Sequence, residues 1–320
     1  MISYGLVGTK NDLGFALSLL ATLIIGAFTA VGEVTIVGFL KAIPAQNIVG
    51  WCSGTGIAGI SGAGLCLLFK FLELEFKTLC YVLAPLAIVY FINFKHMLTL
   101  RAAIEKRITQ STVHQPRSVE VDQQIPVELS RSPSHEPEAA EAAVNEELSF
   151  EAVRTVMRVV GQPILNLGLV YFLQYSCTTS FAERAHRHSS LSGDFWHRNA
   201  FVLLSFSYQL GVFVSRSSLH FFKFSNVRII TSAQVLNFLL FFSVAKWQWM
   251  GIMYQIPLML SVGITGGFSY VNCLYLVLEN KSLRQTHKEL AINICGLAIE
   301  VGTLAAAFFA LFVSNVVITE

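Results

Sequence analysis

The sequence predicts an all-α polytopic membrane protein with eight transmembrane helices, three before and five after one polar loop. Three observations carry this expectation. Hydrophobic residues make up 54% of the 320 and charged residues only 13%, whereas a soluble domain carries about 25% charge. Mean hydropathy is +0.59. The apolar residues come in runs close to the roughly 20 residues that cross a hydrocarbon core of about 30 Å. Much of the charge, in contrast, collects in a single segment, 98–150.

The first run is 13–40, interrupted by Glu33; 51–69 follows, then 78–94 between Lys77 and Lys95, with Pro85 as a tolerated kink. Residues 98–150 hold Pro116, Pro126, Pro133 and Pro137 among Ser, Gln and Glu. They bury too little apolar surface to fold, so disorder is expected to about Pro137. An alanine- and glutamate-rich helix then leads into the next span. Spans at 159–182, 199–222, 229–245, 247–278 and 290–318 complete the set. The chain divides accordingly into an amino-terminal bundle, 1–97, a cytosolic linker, 98–150, and a carboxy-terminal bundle, 151–320. Most of the 22 Lys and Arg residues fall in loops on the linker's side, which places the linker in the cytosol. Eight spans then put both chain ends on the far side. The opening MISYGLVGTKND lacks the pattern of a cleaved signal, so insertion is expected to rely on the first span.

Several function classes are disfavoured. A net charge of +2, with no basic aromatic patch, argues against nucleic acid. The six cysteines are scattered through apolar runs without a CxxC pair and read as small apolar fillers, not metal ligands or a disulfide frame. No GxSxG, HExxH, Walker or kinase signature marks an enzyme, and no residue set asks for a cofactor. His186, His188 and His197 share a short extracytosolic loop and read as solvated, not metal-binding. Asn280-Lys281-Ser282 is a glycosylation sequon that this topology leaves in the cytosol, unused.

The candidate functional residues are the polar ones inside apolar runs. Residues 199–215 pass without a charge, and then Arg216 arrives with apolar sequence beyond it. Either it snorkels to the headgroups with Lys223 and Arg228, or it faces a polar cavity as a fixed positive charge for an anionic solute. Glu33 in the first span and Glu300 in the last are expensive unless they pair, protonate or face water. A carboxylate taken out of water holds its proton more tightly, which suits proton coupling; a structural hydrogen bond is the alternative. Residues 51–65, WCSGTGIAGISGAGL, contain Gly54-x-Gly56-x-x-Gly59, but no strand precedes it and no βαβ unit surrounds it, so a dinucleotide site is rejected. The small residues instead allow close helix approach, while Ser53 and Thr55 leave hydroxyls near the cytosolic mouth. In 247–278, Pro257, Gly263, Gly266 and Gly267 precede Tyr270 and Asn272. They imply either tight packing or a helix unwound at mid-membrane.

Three stretches together are more specific than any alone. They are Gly32-Glu33-Val34-Thr35 followed by Trp51-x-Ser53-Gly54-Thr55-Gly56; Tyr208-Gln209-x-Gly211-Val212-Phe213-x-Ser215-Arg216-Ser217-Ser218; and Gly266-Gly267-x-x-Tyr270-Val271-Asn272. In this order and at these intervals the chain resembles the battenin family, the membrane proteins affected in juvenile neuronal ceroid lipofuscinosis. The resemblance runs from about residue 13 to 311, the linker apart. It implies a major-facilitator-like fold of eleven helices, six, a cytosolic loop and five, in lysosomal or vacuolar membranes. It also implies export of glycerophosphodiesters and effects on luminal pH and basic amino-acid levels. The eight spans match the family's last eight, which makes Met1 an expected internal start. Gln174 and Val262 stand where relatives carry glutamate, and Glu300 lies one position from the family's aspartate. The linker lacks an acidic dileucine signal, so lysosomal delivery rests on the resemblance.

Two functions follow as expectations. The first is a proton-coupled lysosomal carrier of small organic anions such as glycerophosphodiesters. Arg216 would attract the anion, Tyr208, Gln209, Asn272, Ser53 and Thr55 would line its path, and Glu33 or Glu300 would carry the proton. The second is a non-transporting membrane scaffold that recruits cytosolic trafficking partners through residues 98–150.

Overall fold

The computed structural model describes residues 12–40, 46–113, 150–184, 194–218, 224 and 226–317. All regular structure among them is helical, as the composition requires: in a bilayer, backbone polar groups must be satisfied within each segment. The helices are α1 (Asp12–Leu40), α2 (Gln46–Phe71), α3 (Phe76–Leu83), α4 (Leu86–Val113), α5 (Phe150–Ser176), the short α6 (Phe195–Arg198), α7 (Ala200–Ser217), α8 (Val227–Trp247), α9 (Ile252–Leu278) and α10 (Gln285–Phe312). Single π turns, Cys177–Phe181 and Val313–Val317, continue α5 and α10.

Six stretches of the described residues are long and apolar enough to cross a membrane: Gly50–Phe71, Lys77–Thr99, Phe150–Arg184, Val227–Trp247, Ile252–Leu278 and His287–Asn315. Of the other two expected spans, the first is helical throughout in α1, where Leu19–Gly32 is apolar among the described residues. The 18-residue α7 is diluted by Ser205, Ser207, Tyr208, Gln209 and Arg216, which its position among other helices tolerates.

Two boundaries also differ from expectation. Residues 98–113 were expected in the disordered linker but belong to α4. Their charges lower hydropathy, yet Ala, Glu, Lys and Arg are good helix formers, and α4 stops three residues before Pro116. Residues 114–149, with the expected disorder and the alanine-rich helix start, lie outside the described residues, as do His186 and His188. Helix α8 runs on to Trp247, and α9 starts only at Ile252, five residues after the expected start. Gln248 takes a left-handed conformation (φ 51°) and donates its N–H to Val244 O at 2.8 Å, closing α8; Gly251 then caps α9. Lys246 marks the break in the sequence, but residues 247–251 are uncharged and hydropathy counts them with the following span. The kink at Pro85 is present as the α3–α4 break. A second lies in α5, where Val160 leaves helical geometry (φ −126°, ψ 16°) just before Pro163.

Helix α9 is the centre of the bundle, packed by α5, α7, α8 and α10, and α7 lies between α9 and α2. Lipid is as apolar as leucine, so these helices associate through close packing more than through the hydrophobic effect. Glycine makes that packing possible. A Cβ on Gly211 would collide with the backbone of Leu260 and Ile264, and one on Gly263 with Tyr208 O. Gly302 of α10 meets Gly168 O of α5 in the same way. On α2, a Cβ on Gly56 would lie 3.0 Å from Phe213 Cα, and one on Gly59 would overlap the Gln209 amide. Gly54 faces open space. The glycine pattern of residues 51–65 is therefore a packing face, carried by Gly56 and Gly59. In α9, too, Gly266 and Gly267 accept Gln174 and Ser215, and the helix runs unbroken through Pro257. Phe172, Phe181, Phe238 and Phe309 interlock at centroid separations of 5.5–6.4 Å to tie α5, α8 and α10 together.

Candidate functional site: the Arg216 cluster

Arg216 occupies the last turn of α7, where the negative end of the helix dipole favours a cation. Its guanidinium turns inward. Nη1 donates to Thr55 Oγ1 of α2 at 2.6 Å, and Nη2 donates to Tyr171 Oη of α5 at 3.2 Å. The Tyr270 ring of α9 lies under the guanidinium, 4.3 Å from its carbon to the ring centroid. That is cation–π distance, and the contact is strengthened by desolvation. Thr55 passes its own proton to Cys52 O at 2.9 Å, which leaves its oxygen facing the arginine as an acceptor. Four helices thus converge on one cation. The snorkelling alternative for Arg216 does not describe this geometry.

The cluster is held by packing. Tyr171 (5% exposed) and Tyr270 (2%) belong to the core formed by α2, α5, α9 and α10. The Tyr171 ring stacks on Tyr175 at 5.9 Å and tilts against Tyr270 at 6.3 Å. Ser215 is fully buried and bonds backwards to Gly211 O and Val212 O, keeping the turn before Arg216 tight. Among the described residues no carboxylate pairs with Arg216; the ionisable groups that act on it are Tyr171, Tyr270, Tyr208 and Cys52. Its Nε is buried without a hydrogen-bond partner. A cation held by hydroxyls and a ring face, with no carboxylate partner among the described residues, is suited to attract an anion.

Thr55 also forms part of the wall of a cavity of about 580 Å³. Its other walls are α1 from Ile24 to Gly32, Trp51 of α2 and Tyr90 of α4. This open groove is mostly apolar, with the hydroxyls of Thr29 and Thr55 in its wall, and Thr55 joins it to Arg216.

The remaining expected site residues separate into groups. Tyr208 and Gln209 lie on α7 within the same packing, Tyr208 in electrostatic range of Arg216 and Gln209 seated against Gly59. Asn272 is fully buried, and both ends of its amide bond to backbone: Nδ2 donates to Phe268 O at 2.8 Å and Oδ1 accepts from Phe224 N at 2.7 Å. It anchors the segment after α7 to α9. Ser53 lies about 200° round α2 from Thr55 and is not part of the cavity wall. Glu33 follows the cavity residue Gly32 in α1, and its side chain is outside the described residues. Glu300 is exposed on α10, on the stripe of Leu297, Val301 and Leu304, and is not gathered with Arg216. Tyr171 and Trp51 were not expected at the site. Their signal was weak, since an aromatic in a transmembrane run ordinarily means packing or an interfacial belt.

A second polar group lies deeper, between α5, α8 and α9. Thr231 donates to Asn166 Oδ1 and Thr265 to Gln234 Oε1; Asn237 Nδ2 donates to Thr265 Oγ1 at 3.3 Å, and Ser261 to Asn237 Oδ1 at 3.2 Å. Thr231, Gln234 and Asn237 recur every three residues on one face of α8, so this ladder joins helices. Among the described residues no group of three or more His, Cys, Asp or Glu could hold a metal ion.

Comparison with known proteins gives a consistent picture. The CLN3 protein family model matches residues 1–319. The chain is 32% identical to battenin of Dictyostelium discoideum, over 96% of this chain and 75% of that protein. It is 26% identical to Protein BTN1 of Kluyveromyces lactis (87% and 66%) and 26% identical to battenin of Canis lupus familiaris (97% and 66%). The chain thus spans about two thirds to three quarters of the length of these relatives. No solved structure matches it.

Proposed function

This chain belongs to the CLN3 protein family, and from that premise we propose that it is a lysosomal or vacuolar membrane carrier of small organic anions, with glycerophosphodiesters as the class to test first. One observation carries the reading: a buried arginine with no carboxylate partner among the described residues, held by Thr55, Tyr171 and Tyr270, with Thr55 also in the wall of a cavity. A guanidinium recognises phosphate and carboxylate alike. Polar groups inside a membrane span mark solute pathways by default. Glu33, adjacent in sequence to the cavity wall, is the carboxylate assigned to proton coupling, ahead of the exposed Glu300. Effects on luminal pH and on basic amino-acid levels would follow from such coupling.

Arg216→Ala tests the assignment. The substituted protein should reach the lysosomal membrane and fail to lower luminal glycerophosphodiesters. Retention in the endoplasmic reticulum would instead give Arg216 a folding role and remove the support for transport.

The extension of α4 to Val113, well past the end of its apolar stretch at Thr99, favours a second reading. There the protein is a membrane scaffold that engages trafficking partners through residues 98–150. Deleting residues 109–137 separates the two, because a carrier tolerates that loss and a scaffold does not.

A further inference from the structure

Trp51 has no role in the reading above, yet its position is unusual. It lies one helical turn before Thr55, so both residues occupy the same face of α2 and both form the wall of the 580 Å³ cavity. Its ring packs on the core that holds Tyr171 and Tyr270. Its indole Nε1 is buried and has no hydrogen-bond partner. A buried tryptophan normally finds an acceptor for that proton, because the unpaired donor costs about 1–3 kcal/mol. Arg216, which bonds the cavity residue Thr55, likewise has a buried Nε with no hydrogen-bond partner. Every nearby hydroxyl with a defined bond is already engaged: Thr55 accepts from Arg216 Nη1 and donates to Cys52 O, and Tyr171 accepts from Nη2. Among the described residues these two N–H donors have no partner, and they lie near a positive charge.

Resting on the carrier reading, we propose that Trp51 is a solute-binding residue, whose indole N–H donates to a free oxygen of a phosphodiester or a comparable oxyanion drawn in by the charge of Arg216. The α1 wall of the cavity, from Ile24 to Phe28, then accommodates the organic substituent. This orientation favours a substituted oxyanion over inorganic phosphate. It also separates two parts that a lone arginine would combine: the charge attracts any anion, and the indole selects one that presents a second acceptor.

The test uses the purified full chain in nanodiscs, with dimethyl phosphate as probe and uncharged trimethyl phosphate as control, followed by calorimetry. Trp51→Phe keeps the ring and removes the donor. It should weaken dimethyl phosphate binding about tenfold or more, the worth of a hydrogen bond to a charged group, without changing the thermal midpoint of the unliganded protein. A second measurement does not depend on that variant folding. With Trp196, Trp247 and Trp249, all exposed, replaced by Phe, the emission of Trp51 alone should shift on adding dimethyl phosphate and not on adding trimethyl phosphate. If Trp51→Phe binds as tightly as the native chain, or the Trp51 emission stays fixed while calorimetry records binding, the inference is overturned and the carrier reading stands. If the native chain binds neither probe, both fall.

Discussion

Arg216 is more than a charge. Its two terminal nitrogens reach Thr55 and Tyr171 on different helices while its plane covers Tyr270, and a planar fork is needed for all three contacts. Lysine keeps the charge but has a compact ammonium on a flexible stem. Arg216→Lys should therefore retain delivery to the membrane and lose at least tenfold in solute transport; unchanged transport would show that charge alone suffices. The ladder of α8 predicts the opposite kind of result. Gln234 is fully buried, accepts from Thr265, and leaves Nε2 without a partner. Gln234→Leu removes one membrane hydrogen bond, worth about 0.6 kcal/mol on average, together with one unsatisfied donor. Unfolding in mixed micelles should place this variant within about 1 kcal/mol of the native chain. A much larger loss would mean that the ladder does more than join helices.

Among elements, glycine contacts decide which helices belong together. A side chain on Gly59 must displace Gln209 of α7, whereas one on Gly54 meets nothing within 4 Å. Gly59→Leu should destabilise the α2–α7 pair by about 1–3 kcal/mol, with Gly54→Leu close to neutral; equal effects in a thermal melt would contradict this packing. The elements were largely legible from hydropathy. Their boundaries failed where hydropathy measures the wrong property. Residues 98–113 are charged and helical, and the turn at Gln248 falls within an uncharged run. The arginine was legible as an anomaly in an apolar helix. Its partners were not, because Thr55 and Tyr171 lie 161 and 45 residues away in sequence and only the packing of α2, α5 and α9 around α7 assembles them. The same holds for Trp51, whose vacant N–H is a property of its surroundings and not of its spacing.

At the scale of the whole molecule, the well-packed part is the bundle of α5 and α7 to α10 with α2 against it. Helices α1, α3 and α4 present apolar side chains such as Leu23, Val82 and Ile88 outward, the kind of surface that a bilayer solvates. The cavity lies between these two parts, bounded by α1 and α4 on one side and by the Arg216 helix cluster on the other. A carrier needs its site at the junction of two bodies that can move against each other, and Arg216, with no carboxylate partner among the described residues, adjoins this cavity through Thr55. The central claim is that this junction moves small organic anions out of the lysosome. The direct measurement is the glycerophosphodiester content of lysosomes purified from cells that lack the endogenous protein and express this 320-residue chain. Content restored to that of unmodified cells, and not restored by Arg216→Ala delivered to the same membrane, is the result expected. Content that stays high with the chain present in the lysosomal membrane would contradict it.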